Sequence, residues 1–113
     1  MSDSPERTVA VVVRVGSPGQ PAFQLRKGEQ GVSVFDPAAV EPPLSEDEIL
    51  GAFRPGSVVL YRAVAVIEEH GLQVLPTFGA ESLPERLRVA HREIGPGAEM
   101  DRPAFKSALR NLE

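Results

Sequence analysis

The chain contains no cysteine and no tryptophan, and only one tyrosine and five phenylalanines among 113 residues. Without thiols there is neither a disulfide framework nor a thiolate metal site. Two histidines, His70 and His91, are too few to build a structural zinc centre alone. So few aromatic rings cannot supply the stacking platforms of single-strand nucleic-acid binders. Net charge is −4, from 12 basic and 16 acidic residues, which argues against a general electrostatic grip on nucleic acid. Apolar runs such as residues 9–13, of which none is longer, fall far short of the roughly 20 residues of a membrane span. No Walker loop, G-x-G-x-x-G, HExxH, EF-hand or G-x-S-x-G elbow is present. Residues 2–6 (SDSPE) are polar and acidic, unlike a signal peptide. The expectation is a soluble cytoplasmic domain that makes no membrane or specific nucleic-acid contact.

What is present points to one α+β domain over residues 8–113, preceded by a frayed leader at 1–7. Residues 8–15 (TVAVVVRV) read as a strand rich in β-branched side chains, with Val11, Val13 and Val15 on one face and Val12 and Arg14 on the other. The Gly, Pro and Ser of residues 16–21 demand a turn. Short strands are expected at 23–26 and 32–35, the latter stopped by Asp36-Pro37. Ser45-Glu46-Asp47-Glu48 has capping-box spacing and opens a helix with Ile49, Leu50 and Phe53 inward. Replacing Ser45 with Ala should cost about 0.5–2 kcal/mol. A strand at 57–63, a short helix closed by Gly71 and a strand at 72–75 follow. Residues 86–94 (RLRVAHREI) alternate and read as a further strand. The last helix starts near Arg102 with Asp101 as N-cap, and Phe105, Ala108, Leu109 and Leu112 form its apolar stripe. The expected architecture is a small curved or split, mainly antiparallel sheet with a capped central helix and a C-terminal amphipathic helix.

Polar side chains on strands carry the functional signal. Arg14, in a valine-rich strand, either points to water or forms an anion clamp on rigid backbone. Ser33 either faces solvent or offers its hydroxyl to a ribose or a neighbouring side chain. His91 and Glu93, two apart on a strand, point the same way; they are either an exposed pair or an acid–base or ribose-binding pair. Tyr61 is either half-buried core or a ring-stacking contact, and its neighbour Arg62 has the same two options. His70, before Gly71, suits a helix C-terminus and no other role.

The order of several segments resembles a known family. The arginine-bearing strand VVVRV, then Gly31-Val32-Ser33-Val34-Phe35-Asp36, then residues 86–100 (RLRVAHREIGPGAEM) and a helix with Phe105 and Leu109 are similar to compact toxins of bacterial type VI secretion systems. Those toxins have an ADP-ribosyltransferase-like fold. The resemblance implies a cleft for NAD, with Arg14 holding the dinucleotide, Ser33 supporting it, and Tyr61 and Arg62 assisting. It implies Glu93, with His91, as the catalytic pair, although the surroundings of Glu93 depart from the usual catalytic-glutamate motif. Arg62 or Arg26 would help Arg14 with the two phosphates. An immunity or antitoxin protein, or the modified target, is the implied partner. The alternative is a non-catalytic protein-interaction module of a bacterial conflict or regulatory system, recruiting its partner through an exposed strand edge.

Overall fold

The computed structural model describes residues 10–113. The expected leader at 1–7 and the first two residues of the expected first strand lie outside the described residues. The elements are strands β1 (Val11–Gly16) and β2 (Val32–Phe35), a 3-10 turn (Pro37–Ala39), helix α1 (Glu46–Leu50), strand β3 (Val58–Ala63) and helix α2 (Val64–Glu69). Strand β4 (Gln73–Pro76), helix α3 (Glu85–Ala90), strand β5 (His91–Gly95) and helix α4 (Arg102–Arg110) complete the chain. All strands join one open antiparallel sheet in the order β3-β1-β2-β5-β4. The α+β expectation therefore holds. No helix among the described residues is long and apolar enough to cross a membrane.

The sheet is covered on both faces. Val12, Val32, Val34 and Ile94 face a core completed by Phe23, Ile67 and the α4 stripe of Phe105, Leu109 and Leu112. Val13 and Phe35 face a second core containing Ile49 of α1 and Leu87 of α3. Val12 and Val13 are therefore both shut off from solvent, which accounts for an unbroken valine run where a one-sided strand would alternate. Burying each α4 side chain of that size contributes about 1.5–3 kcal/mol.

Helix starts follow local chemistry. Ser45 Oγ accepts from the Glu48 amide at 3.1 Å, and an Asp101 carboxylate oxygen accepts from the Ala104 amide at 2.9 Å. The capping box at α1 is only half made, because the Glu48 carboxylate turns away to Arg86, with Oε2 2.7 Å from Nε. Gly71 adopts φ +81°, the left-handed close that ends α2.

Two expected strands differ. Residues 23–26 are irregular, because the amides of Ala22 and Phe23 donate to the Glu113 carboxylate at 2.8 and 2.6 Å, and the Ala22 carbonyl accepts from Arg14 Nε. Side chains take the backbone groups that a neighbouring strand would need. Residues 86–94 divide into the end of α3 and the start of β5. Pro84 and Glu85 start the helix; Leu87 and Ala90, three apart, are buried while Val89 is exposed, so the period is helical up to Ala90.

Candidate functional site

The site begins where two central strands part. β1 and β2 share the single partner pair Val13↔Phe35, whereas β1 stays paired with β3 as far as Gly16↔Val58. Beyond Val13 the edge of β2 facing β1 is left without a strand, and the Arg14 side chain takes its place. Arg14 Nη1 donates to the Ser33 carbonyl at 2.9 Å, and Nε donates to the Ala22 carbonyl at 2.6 Å. An unpaired carbonyl at a strand opening is costly, and a guanidinium has enough donors to satisfy two and retain a third nitrogen. Burial lowers the proton affinity of Arg14; Glu29 and Glu113 oppose this and Arg26 reinforces it.

The opening is the mouth of a cleft of about 370 Å³ whose walls include Arg14, Ser33, Phe35, Phe53 and His91. Its outer rim is the loop after β4, through Ala80, Ser82 and Leu83. Phe35 holds the rings together, meeting Phe53 edge-on at 5.9 Å and His91 edge-on at 5.6 Å. His91 Nδ1 lies 2.8 Å from Thr77 Oγ1, which fixes the imidazole against the loop. Burial lowers the proton affinity of His91, Glu93 and Thr77 oppose it, and Arg92 adds to it, so the ring favours its neutral form.

Arg14, Ser33 and His91 thus line one cleft. Glu93 is opposite Ser33 in the β2–β5 register and is therefore on the same face of the sheet as Ser33 and His91. Its side chain does not line the cleft but lies across Gly31, where an added Cβ would come within 2.5 Å of its Cγ. Tyr61 and Arg62 lie outside the cleft. The Tyr61 hydroxyl donates to Glu46 at 2.8 Å. Arg62 donates to the Leu112 and Tyr61 carbonyls and sits 5.2 Å over the Phe23 ring, tying the C-terminal helix to the sheet. Their alternation on β3 sends Tyr61 towards α1 and Arg62 towards α4.

Sequence reasoning missed Thr77 and the 80–83 rim, which carry no local motif. Phe53, expected inward from α1, packs against the second core and also walls the cleft. Comparison with protein-family models, curated proteins and solved structures returns no match.

Proposed function

We propose that this chain is a compact toxin domain of ADP-ribosyltransferase-like type, similar to the type VI secretion effectors, and that the cleft between β1 and β2 binds NAD. The observation that supports this reading is the convergence of Arg14, Ser33 and His91, from three strands, on one cleft. Its volume of about 370 Å³ is within the roughly 300–1,000 Å³ of small-molecule sites and suits half of a dinucleotide. Phe53, with Phe35 buried against it, gives a nicotinamide an apolar wall. Arg14 offers a phosphate a cation already held on rigid backbone. In NAD chemistry the bond between the ribose and nicotinamide breaks, its electron pair leaves with nicotinamide, and positive charge builds on the sugar. A carboxylate brought to that charge lowers the barrier, and Glu93, opposite Ser33 on the same face, is the carboxylate that these three strands carry. Neutral His91 accepts the proton that a target nucleophile loses as its bond to the sugar carbon forms.

A second reading is a non-catalytic module of the same architecture that binds an immunity or target protein. The observation favouring it is the packing of Glu93 over Gly31, away from the cleft lining.

Titration calorimetry of the full chain with NAD tests the first reading. Heat of binding is expected, with Arg14→Ala weakening it at least tenfold, about 1.4 kcal/mol. No heat at millimolar NAD overturns it. Expression in a bacterial host separates the two readings: growth inhibition relieved by Glu93→Ala supports catalysis. Harmless expression of a chain that is folded supports the interaction module.

A further inference from the structure

The cleft has a neighbour on the other side of Arg14. A second hollow of about 280 Å³ shares Arg14, Val15 and Phe53 with the first and is walled by Arg26 and Arg54, together with Ser17 and with Ser57, whose hydroxyl donates to the Arg54 carbonyl at 2.7 Å. No carboxylate lines it. Two carboxylates lie nearby and act on Arg14 without lining the hollow: Glu29 accepts from the Arg26 amide at 2.9 Å, and Glu113 accepts from the amides of Ala22 and Phe23. Among the described residues the ion pair is that of Arg86 with Glu48, and within that set the Arg26 and Arg54 guanidinium groups make no direct carboxylate contact. In a chain of net charge −4, three guanidinium groups border one hollow; Glu29 and Glu113 offset part of their mutual repulsion at Arg14, and an entering anion relieves more of it.

The two chambers differ in chemistry. The first is ring-lined, the second basic and hydroxylic, and Arg14 stands at their junction. We infer that the second hollow is a phosphate subsite, and that the ligand filling both chambers is a nicotinamide dinucleotide with an additional phosphate on its adenosine half, preferred over NAD. This inference rests on the dinucleotide reading of the first chamber. The central pyrophosphate meets Arg14 at the junction and the nicotinamide lies among the rings. The adenosine half then reaches Arg26 and Arg54, and an arginine near the adenosine ribose is the feature that accommodates a ribose phosphate. Together the chambers stay within the size of ordinary ligand sites.

The test is an NMR titration of the isotopically labelled full chain with inorganic pyrophosphate, NAD and NADP. Pyrophosphate is expected to shift amide signals at residues 16–26 and 54–57, and NADP to bind at least fivefold more tightly than NAD. In Arg26→Ala/Arg54→Ala, checked for a folded spectrum, the pyrophosphate shifts at residues 54–57 vanish while those beside Arg14 remain, and the two dinucleotides bind equally. Equal affinities in the unaltered chain, or shifts at 54–57 that survive the double substitution, overturn the subsite and leave the NAD reading intact. If neither dinucleotide binds but pyrophosphate still requires both arginines, the NAD reading falls and the anion site stands. If none of the three ligands binds, both fall.

Discussion

Arg14 donates to the backbone carbonyl of Ser33 across 2.9 Å, standing in for a β-ladder where β1 has left β2. One side chain thereby both seals an open sheet and supplies the cation of the candidate cleft. Its substitution should have a structural cost as well as a binding cost. Arg14→Ala leaves the Ser33 and Ala22 carbonyls without their donor, which is expected to lower stability by about 1–3 kcal/mol. Arg14→Lys retains the charge but cannot bridge both carbonyls, so its urea-unfolding midpoint should fall between those of the parent and Arg14→Ala. Equal midpoints for all three would show that the guanidinium contributes nothing to closing the sheet.

Gly31 is required by its neighbours and not by its backbone angles. An added Cβ would lie 2.5 Å from Glu93 Cγ and 2.7 Å from the Ile94 carbonyl oxygen. Gly31→Ala is expected to destabilise by about 1–3 kcal/mol, the usual cost of overpacking. Gly31→Ala/Glu93→Ala should recover only part of this, because the Ile94 carbonyl cannot move without disturbing β5. Full recovery in a denaturant melt would place the whole conflict on the glutamate side chain.

The Glu113 carboxylate holds the irregular segment after β1 by accepting from two consecutive amides. Glu113→Ala is expected to cost about 1–3 kcal/mol and to speed hydrogen exchange at Ala22 and Phe23 specifically. Deleting residues 102–113 removes this contact together with the Phe105, Leu109 and Leu112 stripe, and should abolish the cooperative thermal transition. A sharp melt after that deletion would make α4 an accessory.

His91 titrates below its ordinary 6.5 in the folded chain, chiefly because burial penalises the imidazolium. The unfolded chain therefore takes up this proton at higher pH than the folded chain. The associated stability is fully present above about pH 6.5 and is lost as the pH falls through the lower folded value. Urea melts across roughly pH 5 to 8 should show stability declining towards the acid end, and His91→Gln should flatten that part of the profile. An identical slope in the variant would assign the decline to other groups.

Much of the fold can be read from short stretches of chain. The double-faced valine strand, the Ser45 and Asp101 caps, the Gly71 stop and the α4 stripe each depend on residues within one or two turns of each other, so their cause is local. The 86–94 segment could not be assigned in this way, because RLRVAHREI satisfies period two as well as it satisfies a helix running into a strand. Only the packing of Leu87 and Ala90 under one face of the sheet decides between them. Of the candidate site, Arg14, Ser33 and His91 were recognisable as polar groups on strands, whereas Tyr61 and Arg62 looked equivalent and are engaged in holding α1 and α4.

The amino-acid sequence by itself determined the kinds of element, their caps and turns, and which side chains on each strand share a face, because these depend on neighbours a few bonds or one helical turn away. The tertiary structure alone decided where β1 parts from β2, that Glu48 reaches Arg86 38 residues on, and that Glu113 holds an amide 91 residues back. Such partners leave no mark on local pattern, since the backbone groups they satisfy become unpaired only when the whole sheet has assembled.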